Sequence, residues 1–307
     1  MLSLSFKMLH KIYSFMGMLV SIVVVLTAVS FILKPDFINN VFAIPTDQTT
    51  VILSTWALPT NPKNISNIVS DFAGNAYFAE SDTNKISRLE PATNLITQWT
   101  LPTNSSKAAG LALDPVSGSV YFAESNTNKI GRLVPSTNTF TEWTLPTRSS
   151  NSSGFRYIAF DITSGSAYFI ENNGNTVGRL VPSTNTFTEW TLPTKSNDVS
   201  IVSPGFEGII YFSESNTNKI GRLEPATNFI TQWTLPTNSI RPAGIEFDST
   251  SGSVYFAESN TNKIGRFVPV INVITEWNIN SNPLDISVTP AGSIYFIDDL
   301  GRIGRLG

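Results

Sequence analysis

The chain has 307 residues, no cysteine and a single histidine. The missing cysteines exclude a disulfide framework, a thiolate metal site and a cysteine nucleophile. The lone histidine, His10, stands near the start of the chain, so no Ser-His-Asp set can be assembled from the remainder. A P-loop and a zinc motif are absent as well. Charge is sparse: 14% of residues are Asp, Glu, Lys or Arg, and the net charge is −3. The Lys and Arg residues are scattered, which excludes the basic stripe of a nucleic-acid surface. After residue 50 no segment shows a helical period, so that region reads as all-β.

The first fifty residues have a different composition. Lys7, His10 and Lys11 precede an apolar run from Ile12 to Leu33. A span of about 20 apolar residues can cross a bilayer as a helix. The same run could be the core of a cleaved signal, with Val41-Phe42-Ala43 as the small-residue site. Either way, the preceding positive charges predict an inside N-terminus and an extracytoplasmic remainder, membrane-anchored or secreted. The division is therefore 1–43 signal peptide or signal-anchor, 44–50 linker and 51–307 folded domain. Asn64-Ile65-Ser66, Asn104-Ser105-Ser106 and Asn151-Ser152-Ser153 fit the glycosylation pattern, in a chain already rich in these residue types.

What is abundant is repetition. Trp56, Trp99, Trp143, Trp190, Trp233 and Trp277 recur every 43 to 47 residues. A period in the forties filled with short strands predicts propeller blades. One blade reads as four strands: Gly110–Asp114, Ser119–Glu124, Lys129–Val134 and Thr139–Leu145, separated by turn-forming Pro, Ser, Gly, Asn and Thr. A Tyr-Phe pair marks six second strands, beginning at Tyr77, Tyr121, Tyr168, Tyr211, Tyr255 and Tyr295. The chain stops on a third strand at Arg302–Leu306, and Val51–Leu58 resembles the missing fourth. The prediction is a six-bladed β-propeller of four-stranded blades, closed by that N-terminal strand, which also removes an exposed sheet edge.

A longer period overlies the first. Arg88–Ser105 recurs at Arg222–Ser239 with one change, and Ser117–Leu133 recurs at Ser251–Phe267, again with one change. A three-blade unit has been duplicated. Every blade also carries an acid after the Tyr-Phe pair (Glu80, Glu124, Glu171, Glu214, Glu258, Asp298) and an arginine in the next strand (Arg88, Arg132, Arg179, Arg222, Arg266, Arg305). These could be a carboxylate ring around a central metal, or Glu–Arg pairs that brace each hairpin or join neighbouring blades. A metal needs only a few ligands of distinct geometry, which favours the brace. The tryptophans and Tyr-Phe pairs read as packing between blades.

A binding site is expected where the symmetry breaks, at the mouth of the central channel. Aligned on Gly110, the starts of the inner strands hold Asn67, Tyr157, Ser200, Gly244 and Asp285. Arg156 precedes Tyr157, and Glu246 stands in an otherwise apolar strand. The candidates for a polar pocket are Asn67, Arg156, Tyr157, Glu246 and Asp285, against the alternative of ordinary loop variation.

The phrase at residues 121–133, Tyr-Phe-Ala-Glu-Ser-Asn-Thr-Asn-Lys-Ile-Gly-Arg-Leu, with the following Pro, Thr and Thr-Glu-Trp strand, resembles the repeat of virginiamycin B (streptogramin B) lyases. More loosely it resembles NHL and SMP-30/gluconolactonase-like propellers. The resemblance runs over residues 51–307. It implies a seven-bladed propeller that opens a cyclic depsipeptide by elimination, using Mg²⁺ and a histidine base. Six blades are legible here, and His10 lies outside all of them. Three readings follow. The favoured one is a non-catalytic propeller binding a small molecule or a protein at its channel mouth, with no resident cofactor. The second is a lyase or lactonase with a carboxylate base, Mg²⁺ entering by resemblance only. The third is a structural protein of the cell envelope.

Overall fold

In a computed structural model the described residues are 57–60, 62, 64–146, 157–171, 175–196, 199–201, 204–237, 242–289, 292–300 and 303–306. They form six antiparallel sheets, the blades of a β-propeller. Blade one is β1 (Ile65–Ser70), β2 (Ala76–Glu80), β3 (Lys85–Glu90) and β4 (Leu95–Thr100). Blade two is β5 (Ala108–Leu113), β6 (Val120–Glu124), β7 (Lys129–Val134) and β8 (Thr139–Thr144). Blade three is β9 (Ile158–Asp161), β10 (Ser166–Glu171), β11 (Thr176–Val181) and β12 (Thr186–Thr191). Blade four is β13 (Val199–Ile201), β14 (Ile210–Glu214), β15 (Lys219–Glu224) and β16 (Phe229–Thr234). Blade five is β17 (Pro242–Asp248), β18 (Ser253–Glu258), β19 (Lys263–Val268) and β20 (Val273–Asn278). Blade six has three strands among the described residues: β21 (Pro283–Val288), β22 (Ile294–Asp298) and β23 (Ile303–Leu306). Among the described residues a single 3₁₀ turn, Phe206–Gly208, interrupts this all-β pattern.

The expected closing strand, Val51–Leu58, lies outside the described residues except for Ala57 and Leu58, as does the apolar run Ile12–Leu33. Among the described residues no helix is long and apolar enough to cross a membrane.

Asparagine makes the tight turns possible. Asn84, Asn128, Asn218 and Asn262, between second and third strands, and Asn94, Asn138, Asn185, Asn228 and Asn272, between third and fourth, all have positive φ. Asn tolerates that region better than other residues with a Cβ. The turns also join neighbouring blades. The Trp99 indole N–H donates to Asn138 Oδ1 of blade two at 2.7 Å, Trp143 to Asn185 of blade three at 2.6 Å, and Trp190 to Asn228 of blade four at 2.8 Å. Each tryptophan thus buries its rings under its own blade and bonds the next, which fits the expected packing role.

The core lies between sheets. Tyr77, Ala79, Ile86 and Trp99 of blade one pack with Leu111, Val120, Phe122 and Leu133 of blade two in one buried cluster. The pattern repeats between Tyr121, Ile130 and Trp143 of blade two and Phe169 and Leu180 of blade three. In blades two to six a glycine opposite the second-strand phenylalanine makes room: a Cβ on Gly131 would stand 2.0 Å from Phe122, and one on Gly265 the same distance from Phe256. The first strands touch one another from blade to blade, β1 with β5, β5 with β9, β13 with β17 and β17 with β21. They therefore line the axis.

At the ends of the blade series the same positions are uncovered. Ile65 and Ile68 of β1 are 55% and 66% exposed, whereas Ala108 and Leu111 of β5 are 0% and 3% exposed. Tyr295 of β22 is 38% exposed, against 8% or less for the five earlier tyrosines of the Tyr-Phe pairs.

Candidate functional site

The repeated acids are not braced by the repeated arginines, contrary to the expected hairpin pair. The register decides this: Glu80 lies opposite Lys85, while Arg88 lies opposite Tyr77, three residues away along β2. The arginines instead cover aromatic rings, Arg88 over Trp99, Arg132 over Trp143 and Arg179 over Trp190, at 5.5 to 5.7 Å from the ring centroid. The acids turn into polar networks with the fourth strand. Glu80 accepts from Thr83 (2.7 Å), Ser87, Thr60 and Gln98, all within or entering blade one. The acid ring belongs to the scaffold.

The symmetry-breaking candidates separate into three outcomes. Asn67 stands at a β-bulge, where the β1 register shifts between Ser66 and Ile68, and its φ is 49°. Its Oδ1 accepts the Leu111 N–H of blade two at 2.9 Å. It is a stitch between blades. Arg156 lies outside the described residues. Tyr157 is half-buried, and its carbonyl accepts the Ile170 N–H at 3.3 Å, which fixes the chain at the head of β9.

Glu246 and Asp285 come together. Glu246 is on β17 opposite Tyr255, at the place taken by Val69, Ala112, Ala159 and Ser287 in other blades. Its Oε2 accepts the Val288 N–H across the boundary of blades five and six at 2.9 Å. Asp285 is on β21, and its carboxylate lies so close over Gly244 that a Cβ there would meet Oδ1 at 1.9 Å. Its Oδ1 accepts the Ile286 N–H at 2.9 Å. Burial pushes Glu246 up to about 7, and the neighbouring Asp285 charge adds to the rise against the Val288 and Ser287 hydrogen bonds. Burial also raises the Asp285 carboxyl. Yet Asp285 is exposed by accessible surface. Its strand neighbours Leu284 and Ser287 are exposed as well, as befits the last blade of the series.

Sequence reasoning missed Ser287 and the Val288 amide as supports of Glu246. Ser287 was visible as a polar residue at a position held by alanine in blades two and three. A backbone donor leaves no mark in the sequence. The described residues gather no group of three or more His, Asp or Glu that could hold a metal ion. Glu246 and Asp285 bring two carboxylates together, one oxygen of each accepting a backbone amide, whereas Mg²⁺ takes near-octahedral oxygen donors.

A family model for virginiamycin B lyases matches residues 40–306. The chain belongs to the virginiamycin B lyase family. Among solved structures, it is 30% identical to selenomethionine-substituted virginiamycin B lyase from Staphylococcus aureus, covering 79% of this chain and 80% of that one, with a TM-score of 0.70. It is 29% identical to a catalytically inactive histidine-to-alanine variant of the Staphylococcus aureus enzyme bound to quinupristin, with the same coverage and TM-score. A streptogramin B lyase structure matches at 29% identity, 78% of each chain and a TM-score of 0.69. A search of curated sequences returns no match. The Staphylococcus aureus enzyme is thus inactive when one histidine is replaced by alanine, and no histidine stands between residues 51 and 307 here.

Proposed function

We propose that this family member is an extracytoplasmic, membrane-anchored or secreted binding module that takes a small molecule or protein at its channel mouth and does not perform the family's elimination. The absence of any histidine from the propeller carries this reading. Imidazole suits a general base because its pKa lies near the operating pH. Glu246 and Asp285 offer the ligand negative charge and acceptor oxygens at the boundary of blades five and six, favouring cationic or donor-rich ligands.

One observation favours a second reading. Glu246, held near 7, has the proton affinity of a general base. The two readings part on one experiment, incubation of the propeller with quinupristin and Mg²⁺. Elimination leaves the mass unchanged and hydrolysis adds one water, so ring opening is followed by chromatography with tandem mass spectrometry. The binding reading expects intact quinupristin. Ring opening that disappears in Glu246→Gln would overturn it in favour of a carboxylate-base enzyme.

We also propose that Val51–Leu58 completes blade six against β23. Thr60 supports this. It follows Trp56 as Thr103 follows Trp99, and it enters blade one as Thr103 enters blade two: Thr60 accepts from Gln98 at 2.9 Å, and Thr103 donates to Glu142 at 2.8 Å. The family match also begins at residue 40, before this segment. A chain lacking residues 50–60 that melts as the full chain does would exclude it.

A further inference from the structure

The fourth strands of blades one to five carry one of two residues at one position, Gln in blades one and four and Glu in blades two, three and five (Glu142, Glu189 and Glu276). Gln98 of blade one and Gln232 of blade four face β3 and β15 in the register that Glu142 of blade two and Glu276 of blade five occupy against β7 and β19. The glutamines donate their amide N–H to the buried acid of the second strand: Gln98 Nε2 to Glu80 Oε1 at 2.7 Å, and Gln232 Nε2 to Glu214 Oε1. A carboxylate in that place has no proton to give. Blades two and five nevertheless keep the acid, and Glu124 and Glu258 are both 0% exposed.

The surrounding bonds are directed at the other oxygens, except that the Thr237 N–H donates to Glu276 Oε1 at 3.1 Å. Thr127 donates to Glu124 Oε2 at 2.5 Å, and Thr261 to Glu258 Oε2 at 2.8 Å. Lys129 donates to Glu142 Oε2 at 2.8 Å, as Thr103 does, and Lys263 donates to Glu276 Oε2 at 2.8 Å. Glu124 Oε1, Glu142 Oε1 and Glu258 Oε1 are buried without a conventional donor. Glu142 lies within hydrogen-bonding reach of Glu124, and Glu276 of Glu258. Two acceptors turned on each other in a closed space need a hydrogen between them.

We propose that Glu124–Glu142 and Glu258–Glu276 are two internal proton-binding sites, each holding one shared proton, which make the stability of the propeller fall as the pH rises. The proton rests on the second-strand acid, because the fourth-strand acid is ion-paired with lysine. Consistent with this, burial pushes Glu124 and Glu258 up to about 7, while the lysine and threonine donors hold Glu142 and Glu276 below the usual range despite burial. The charged groups facing Glu124 are Glu142 and Lys129, and those facing Glu258 are Glu276 and Lys263. An acid whose affinity for protons is raised by folding stabilises the fold below its unfolded pKa, near 4.5, and that contribution is lost as pH climbs through about 7.

The molecule already contains a control in blade one, where the Ser87, Thr60, Thr83 and Gln98 donors hold Glu80 below its usual range despite burial, while burial still raises Glu214 in blade four. Thermal melting of the full chain is followed from about pH 5 to about pH 8, alongside E142Q/E276Q and the reciprocal Q98E/Q232E. The wild-type Tm is expected to drop by about 5 °C over that range, the first variant to lose most of the drop, and the second to deepen it. The Glu246 contribution is common to all three proteins and cancels in the comparison. Equal slopes for the wild type and both variants would overturn the proposal. Should E142Q/E276Q fail to fold, an unchanged slope in Q98E/Q232E is enough to reject it.

Discussion

Blades two and five are near-copies outside and strangers inside. Their second and third strands differ by one residue from Ser117–Leu133 to Ser251–Phe267. Their first strands, β5 and β17, share even the backbone irregularity, a register shift from Ala108 to Leu111 in one and from Pro242 to Ile245 in the other. Yet opposite the conserved tyrosine position stands Ala112 in blade two and Glu246 in blade five. Ala112 belongs to an apolar cluster in which Tyr121 stacks on Phe160 at 4.8 Å. Glu246 has the Val288 amide in the same direction. The backbone of the inner strand is thus indifferent to what its side chain does. The neighbouring blade decides whether a charge can live there.

Moving the charge is the severest way to break this comparison. Ala112→Glu would place a carboxylate among Tyr121, Phe160 and Ile158, with no hydroxyl corresponding to Ser287. An unpaired buried charge costs several kcal/mol, and the expected loss is about 3 kcal/mol or more at neutral pH. Urea unfolding checks it. A loss within a few tenths of a kcal/mol would mean that blade two can solvate the site as blade five does.

The shared outer strands invite a milder test. Gly131→Ala and Gly265→Ala each put a methyl 2.0 Å from a fully buried phenylalanine ring, Phe122 and Phe256. Overpacking of that kind costs about 2–3 kcal/mol. The two variants should lose the same amount, since their surroundings are copies. Blade one carries Ser87 at this position, with its hydroxyl bonded to Glu80 and with Phe78 6% exposed at the end of the blade series. That exception belongs to a blade with an uncovered neighbour face. Unequal losses in denaturant would show that blades two and five are not equivalent even where their sequences agree.

These contrasts explain what could be read ahead of the structure. The blade count, the strand limits and the threefold-blade duplication follow from periodicity, because each strand repeats its own turn chemistry. The Glu–Arg brace was misread because consecutive strands place two residues on one hairpin without stating their register. Once Glu80 faces Lys85, Arg88 is left to cover Trp99. Asn67, Glu246 and Asp285 were all singled out by one signal, departure from the repeat. That signal cannot separate a residue needed for a positive-φ bulge from one whose carboxylate meets the next blade. Gln98 against Glu142 was equally visible as a departure, and its meaning depended on which donors surround the buried acid.

The smallest effect should come from neutralising Glu246 where it stands. Glu246→Gln keeps an oxygen for the Val288 N–H and removes the charge that burial and Asp285 disfavour. The wild-type carboxyl is raised from 4.5 to about 7 on folding, so the folded state holds the extra proton between those values. Its stabilising contribution is complete below about pH 4.5 and gone above about pH 7, where the ionised group is a net cost. The variant should therefore match the wild type near pH 5 and exceed it by about 1 kcal/mol near pH 8, less than the full shift because solvent partly reaches the site. Paired melting curves at the two pH values measure the difference. A gain at pH 5 equal to that at pH 8 would show that Glu246 is ionised throughout, and that blade six shelters the charge as completely as blade two would refuse it.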